Sequence, residues 1–189
     1  MNRKEALSRV GLLLGGALVG SSIFLESGCK SNPKQVNDLF NQDQVNLFNE
    51  IAETILPATT TPGAKEAKVG EFMTVMVKDC YTKADQQIFL EGLIQIDEEC
   101  KNATGNIFFD SNSQERTTFL AQLDTHQKAY MERKKPEQPS HYFRMMKEIT
   151  LLGFFTSEVG ATKALRYVAV PGKYDGCVPY KKGDRAWAT

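Results

Sequence analysis

The chain has 189 residues, of which 41% are hydrophobic and 10% aromatic, so it can build a hydrophobic core and is not an intrinsically disordered protein. Lys plus Arg and Asp plus Glu both number 23, so no excess of positive charge indicates binding to nucleic acid. The four Cys and two His lack the Cys-x-x-Cys spacing of zinc and haem attachment sites, and no metal site is predicted.

The N-terminus has the layout of an export signal. Basic residues, among them Arg3 and Lys4, precede an uncharged run over residues 10–25, and small residues then lead to Cys29. The run is shorter than the roughly 20 apolar residues that span a bilayer, which disfavours a permanent transmembrane anchor. Residues 1–29 are therefore predicted to direct export and are excluded from the fold.

The sequence leaves open how this signal is processed. The stretch "NRKEAL" resembles the twin-arginine export signal, with Lys4 in place of the second arginine. Ser27 and Gly28, directly before Cys29, resemble a lipoprotein cleavage site, although Glu26 stands where an apolar residue is usual. Either Cys29 is lipidated and anchors the chain at a membrane surface, or an ordinary peptidase releases a free domain. Both routes predict an exported protein, in the periplasm or at the periplasmic face of the membrane.

After a polar spacer, residues 30–35, the sequence predicts a single all-α domain over residues 36–169. Apolar residues at helical spacing predict a first helix from near Val36 that stops at Pro57. A loop with a Pro-Gly turn then leads to a second helix. The apolar face predicted for that second helix consists of Phe72, Val75, Met76 and Cys80.

Capping residues predict the limits of the next three helices. Thr82 and Asp85 have capping-box spacing for the third helix, and Gly105 ends it. Ser113 is predicted to cap the fourth helix and Ser140 the fifth, which runs through Phe155. The inward residues predicted for the third and fourth helices are Phe89, Leu93, Ile96, Cys100, Phe119, Leu120, Leu123 and Ala129. Alternating β-branched runs are too few for a sheet, so about five to six helices are expected.

The segment "ITLLGFFTSEVGATKALRYVAV" is apolar on several faces, which predicts the central helix of the domain. One of its faces is also a candidate contact with a partner. Glu158 is predicted at the N-terminus of a further helix that begins near Ser157, where a carboxylate meets unpaired N–H groups.

Residues 170–189 are predicted to form an extended C-terminal arm, because their Pro and Gly residues exclude a continuing helix. Tyr174, Tyr180 and Trp187, together with Arg185, are residue types enriched at the centres of protein interfaces. The arm is therefore expected to pack on its own domain and, in part, on a partner.

The pieces "ILPATTTPGA", "ITLLGFFTSEVGA" and the ending from "YDGC" to "RAWA" resemble the gluconate 2-dehydrogenase subunit 3 family. The resemblance implies the small, exported subunit of a membrane-associated dehydrogenase. It also implies a large partner of the glucose-methanol-choline type that holds FAD and oxidises sugars, sugar acids or alcohols, with a cytochrome c subunit as a further partner. The small subunit would stabilise the large one and carry its export signal.

The residues themselves offer no catalytic or cofactor-binding constellation. Outside the export signal no glycine cluster has the Gly-x-Gly-x-x-Gly spacing of a dinucleotide site. His126 and His141 are interpreted as structural or surface residues, and residues 97–99 as a solvated face. Met145 and Met146 are interpreted as core. A free-standing helical lipoprotein that binds another partner or ligand is the alternative function, and an unrecognised enzyme is the third.

With Cys29 set aside for lipidation, three cysteines remain, so at most one internal disulfide can form. Cys100 lies on the apolar side of a helix, whereas Cys80 is near a helix end and Cys177 is in a glycine-flanked loop. Cys80 and Cys177 are the predicted pair, and three buried thiols are the alternative.

Overall fold

The computed structural model describes residues 33–170 and 172–188. The predicted export signal, with Arg3, Lys4 and Cys29, lies outside the described residues. The described part is helical: it contains isolated β-bridges at Gln35–Asn41 and Arg166–Trp187 but no strand. The prediction of a single all-α domain is therefore confirmed.

The described residues contain five α-helices, a 3-10 turn and a π-helix. They are α1 (Gln42–Ile55), α2 (Val69–Cys80), α3 (Lys83–Thr104), a 3-10 turn (Phe108–Asp110), α4 (Ser113–Arg133), α5 (Tyr142–Thr156) and a π-helix (Gly160–Ala164). None of the described helices is both long enough and apolar enough to cross a membrane.

Helix α5 is the central helix, because it contacts each of the other four α-helices. It contains only the first part of the segment predicted to be central, residues 149–156 of 149–170. The core around it is rich in phenylalanine. Phe48 of α1 lies with its ring centre 5.3 Å from that of Phe40 and 5.5 Å from that of Phe89. Five phenylalanines are almost completely buried in this core: Phe40, Phe48, Phe89, Phe108 and Phe143.

Helix α1 begins at Gln42, not near Val36 as predicted. Asn41 and Gln44 form a capping box there, in which the Gln44 N–H donates to Asn41 Oδ1 at 3.0 Å and the Asn41 N–H donates to Gln44 Oε1 at 2.9 Å. This reciprocal pair fixes the helix start. Before it the chain makes a tight turn, closed by the Val36 N–H on the Phe40 carbonyl oxygen at 3.0 Å.

The predicted limits of α3 are confirmed, and those of α4 and α5 are displaced by one residue. Thr82 Oγ1 accepts the Asp85 N–H at 3.2 Å, and Gly105 ends α3 with a φ of 87°. Asn112, not Ser113, caps α4 through its own capping box. His141, not Ser140, caps α5, because its Nδ1 accepts the Phe143 N–H at 3.1 Å.

The predicted apolar face of α2 is wrong. Phe72 and Met76 are only partly buried, and Val75 and Cys80 are exposed. The buried face instead consists of Val69, Gly70, Met73, Thr74 and Val77. The cause is close contact with α1: the Gly70 N–H donates to Asn49 Oδ1 at 3.0 Å, and a Cβ on Gly70 would lie 2.7 Å from the Asn49 side chain. Gly70 allows this approach, and Val75 and Cys80 are turned outward.

Candidate partner-binding surface

The chain leaves α5 through a short capped turn. The next helical segment begins near Ser157, as predicted, and Ser157 Oγ accepts the Gly160 N–H at 2.9 Å. The Ser157 hydroxyl, and not the exposed Glu158 carboxylate, therefore makes the cap. The π-helix follows and ends at Ala164. Arg166 lies just after this π-helix, four residues before the C-terminal arm begins.

The end of the arm returns to Arg166 and pairs with it. The Arg166 N–H donates to the Ala186 carbonyl oxygen at 2.8 Å, and the Ala188 N–H donates to the Arg166 carbonyl oxygen at 3.0 Å. These two hydrogen bonds form the parallel bridge between Arg166 and Trp187. The arm is thus a closed loop and not a free tail.

Side chains reinforce this closure. The Arg166 guanidinium lies 4.1 Å from the ring centre of Trp187, a cation–π contact, and its Nη2 donates to the Arg185 carbonyl oxygen at 3.1 Å. Arg185 Nη1 donates to the carbonyl oxygens of Thr162 and Lys163 at 3.1 and 2.9 Å, at the end of the π-helix. We call Arg166, Arg185 and Trp187 the clasp.

The chain between Arg166 and Arg185 of the clasp, residues 167–184, is what we call the arm loop. Its apolar side chains are largely exposed: Val170 is 81% exposed, Tyr174 96% and Tyr180 76%. Packing on the domain therefore does not hold these residues. The predicted interface residues divide into two groups, with Tyr174 and Tyr180 in the arm loop and Arg185 and Trp187 in the clasp.

Hydrogen bonds within the arm loop give it a defined course. The Cys177 N–H donates to Asp175 Oδ1 at 3.3 Å, and the Lys181 N–H donates to Asp184 Oδ2 at 2.9 Å. The Asp184 N–H returns to the Lys181 carbonyl oxygen at 3.0 Å, and Gly183 takes a φ of 95° in that turn. Asp side chains commonly stabilise turns in this way.

The three cysteines in the described residues are free thiols. Cys80 and Cys177, the predicted pair, are both exposed and do not form a disulfide in this structure. Cys100 is completely buried, as predicted, with its Sγ 3.4 Å from Ser111 Oγ.

A second set of apolar side chains is exposed on α2 and α5. Leu152 is 47% exposed and Val75 is 54% exposed. The Phe72 ring packs on Gly153, where a Cβ would lie 2.6 Å from it, and so joins the two helices. We call this surface the helical strip, and its members are Phe72, Val75, Leu151, Leu152 and Phe155.

Of the two histidines considered for catalysis, His141 has a structural role and His126 lies on the surface. His141 accepts a backbone N–H, and burial, with nearby His126, lowers the pKa of its imidazole, which keeps the capping nitrogen unprotonated. His126 is exposed. Over residues 33–170 and 172–188, no group of three or more His, Cys, Asp or Glu could hold a metal ion.

Asp97 departs from its predicted place on a solvated face. Its Oδ1 accepts the Phe108 N–H at 3.1 Å, and burial, together with the charge of Asp110, raises the pKa of its carboxyl. It lines a shallow pocket of about 320 Å³ with the apolar side chains of Leu47, Ile107 and Phe109. A second carboxylate, that of Asp43, also lines this pocket.

A small helical domain that exposes apolar side chains on a helical strip and on a clasped loop has the surface of a protein-binding subunit. Residues 42–172 match the family described as gluconate 2-dehydrogenase subunit 3. The chain belongs to this family, whose members are subunits of a multi-subunit dehydrogenase. No curated protein and no solved structure matches the chain.

Proposed function

We propose that this protein is the non-catalytic small subunit of an exported, FAD-dependent dehydrogenase complex. Membership of the gluconate 2-dehydrogenase subunit 3 family over residues 42–172 carries the proposal. The exposed apolar residues of the helical strip and arm loop support it, because a subunit contact would remove them from water. The partner is a large flavoprotein of the glucose-methanol-choline type that holds FAD and oxidises gluconate, another sugar or an alcohol. A cytochrome c subunit is a further candidate partner.

Co-expression of this chain with the large flavoprotein tests the assignment. We expect a stable complex on size exclusion that contains FAD and dehydrogenase activity, and a large subunit that is poorly soluble when expressed alone. The isolated small subunit should bind no FAD and oxidise no substrate. Gluconate oxidation by the isolated chain, or two subunits that elute separately, would contradict the assignment. Separate elution would favour the free-standing lipoprotein.

Export of the complex through the twin-arginine route forms part of the same proposal. The double change Arg3→Gln and Lys4→Gln should leave both subunits in the cytoplasm, because the large subunit is proposed to cross the membrane folded and bound to this chain. Arg9→Gln is the matched control, since it removes a positive charge outside the "RK" pair. Export that persists in cells without the twin-arginine translocase would reject the route.

Lipidation of Cys29 is proposed to hold the complex at the periplasmic face of the membrane. Stable anchoring needs more than one acyl chain. Cys29→Ala should therefore move the mature chain from the detergent phase to the aqueous phase. Mass spectrometry of the mature N-terminus checks this directly, and an unmodified chain that begins after Cys29 would exclude lipidation.

A further inference from the structure

We infer that the arm loop, residues 167–184, is a preformed docking element that inserts into an apolar groove bordered by carboxylates on the large partner subunit. The inference rests on the proposed function and specifies which part of this chain makes the contact. Most of the arm loop lies beyond the residues that match the family, since that match ends at residue 172.

The first reason is the contrast between a fixed base and an unpacked apolar loop. The clasp fixes both ends of the loop through backbone pairing, a cation–π contact and the hydrogen bonds of Arg185. Between those ends, Tyr174 is almost fully exposed to water and Tyr180 is about three-quarters exposed. Exposed apolar clusters of this kind mark sites of protein interaction, because solvation alone gives no reason to keep them.

The second reason is the entropy of binding. A flexible segment loses conformational freedom when it binds, whereas a segment already held in a fixed course loses less. The turns at Asp175 and Asp184 and the closed base restrict the arm loop before any partner is present. The arm loop therefore has the properties of a preorganised ligand.

The third reason is charge, which identifies the surface that the loop fits. Asp175 and Asp184 accept hydrogen bonds from amides of the loop itself, and Asp175 lies 3.5 Å from Lys173. Lys181 and Lys182 make no ion pair with any described residue. The loop thus presents tyrosine and valine side chains beside two lysines without an ion pair, whose charges exceed that of Asp184, and this complements an apolar groove with carboxylates at its border.

An anionic lipid surface would also attract lysines and aromatic side chains. Membership of a family of complex-forming subunits favours a protein surface. We therefore propose that the arm loop binds a groove on a protein, and membrane binding is one outcome of the experiment.

Arg166 acts as a positioning residue in this arrangement. Its guanidinium contacts the Trp187 ring and the Arg185 carbonyl oxygen, while its Nε is buried without a hydrogen-bond partner. Its side chain therefore sets where the two ends of the loop lie. A change at Arg166 should alter binding without removing any residue that touches the partner.

The experiment measures the affinity of the separately purified small subunit for the large subunit. The double variant Tyr174→Ala and Tyr180→Ala should bind about 30-fold more weakly, because a single interface anchor commonly contributes 10-fold or more. Ile94→Ala is the matched control, because Ile94 is an exposed apolar residue of α3 outside both surfaces and its loss should leave affinity unchanged. Thermal unfolding by circular dichroism verifies that all variants are folded.

Two further variants separate charge from position. Lys181→Glu with Lys182→Glu should weaken binding and reverse its dependence on salt, since like charges would then face each other. Arg166→Met should weaken binding about 10-fold and shift the fluorescence of Trp187, the only tryptophan of the chain. A purely structural loop would show the fluorescence change without loss of affinity.

The possible results are distinguishable. If the wild-type subunits bind and the tyrosine double variant binds equally well, the docking inference is overturned while the proposed function stands. If the wild-type subunits do not bind each other, both the docking inference and the proposed function are rejected. If the double variant loses only its co-sedimentation with vesicles of phosphatidylglycerol and phosphatidylethanolamine, the loop is a membrane contact and the inference is replaced by that one.

Discussion

The helical domain and the arm loop use the same residue types in opposite ways. In the domain, the rings of the phenylalanine core are buried, and a buried amide such as Gln86 has partners: its Nε2 donates to the carbonyl oxygens of Val77 and Lys78 at 3.0 and 2.8 Å. In the arm loop, aromatic rings lie in water and only the base of the loop is fixed. The domain is therefore stabilised from within, whereas the arm loop has side chains whose stabilisation requires another molecule.

The substitution Phe48→Ala in the domain core should cause the largest loss of stability. Phe48 is completely buried and contacts both Phe40 and Phe89, so its removal leaves a cavity at the centre of the domain. We expect the free energy of unfolding to fall by about 3–5 kcal/mol. Chemical denaturation of the purified subunit measures it, and a loss below about 1 kcal/mol would show that the ring is not part of a tightly packed core.

A smaller loss is expected from Arg116→Met, which breaks a polar network inside the domain. Arg116 donates to Glu50 at 2.6 Å and to the carbonyl oxygens of Phe108 and Phe109 at 3.0 and 2.5 Å. Glu50 keeps its pair with Lys65, and the Phe108 carbonyl oxygen keeps the Ser111 N–H. Removing Arg116 therefore weakens the network without emptying it, and we expect a loss of about 2 kcal/mol. Arg133→Met, on the exposed side of the same helix, is the control and should change stability by less than about 0.5 kcal/mol.

The substitution Asp124→Asn should lower the free energy of unfolding by about 1 kcal/mol, and this loss should depend on pH. Burial raises the pKa of the Asp124 carboxyl, but hydrogen bonds from Lys128, Lys147 and Gln127 outweigh burial and lower it from 3.8 to about 2. A lowered pKa in the folded state stabilises the protein fully above the ordinary value and stops doing so as the pH falls through about 2. The expected magnitude is that of a partly exposed ion pair.

The stability difference between wild type and Asp124→Asn should therefore be present near pH 6 and decrease between pH 4 and 2. Denaturation series at several pH values follow this difference. Glu148→Gln removes one partner of the exposed pair with Arg144 and serves as the comparison, with little effect at any pH. A difference that grows towards low pH would contradict the assigned direction.

The smallest effect should be that of Tyr174→Ala on the isolated subunit. Phe48 and Tyr174 are both aromatic, but Tyr174 is 96% exposed, so its removal creates no cavity. We expect the free energy of unfolding to change by less than about 0.5 kcal/mol. A loss of 2 kcal/mol or more would mean that the tyrosine packs on the domain, and the comparison between the two regions would fail.

The sequence predicts the domain well where a single local signal decides the structure. The start and end of α3 follow from Thr82 and Gly105, and the inward residues Phe89, Leu93, Ile96 and Cys100 follow from helical spacing. The α5 segment is central because it is apolar on several faces. Its exposed apolar side, at Leu151, Leu152 and Phe155, is consistent with the same pattern.

The predictions fail where a contact distant in sequence decides. Apolar size favours Phe72 and Val75 as the buried residues of α2, but the fit of Gly70 against Asn49 turns the helix the other way. The pairing of Arg166 with Trp187 connects positions that no local pattern relates. Tyr174 and Tyr180 are recognisable from residue type as binding residues, but only the structure shows that the loop bearing them is closed.

The N-terminus of α2 depends on a hydrogen bond from α1, which links the opening of the two helices. Lys68 occupies the cap position with a left-handed φ of 54° and makes no side-chain hydrogen bond to the helix. The Gly70 N–H is instead satisfied by Asn49, a residue of α1, and the Ala64 N–H donates to the Leu56 carbonyl oxygen at 3.0 Å in the connection. The Gly70 N–H in the first turn of α2 therefore loses its partner once α1 departs. In amide exchange with solvent, the two helices should therefore open together, as one cooperative segment of the domain.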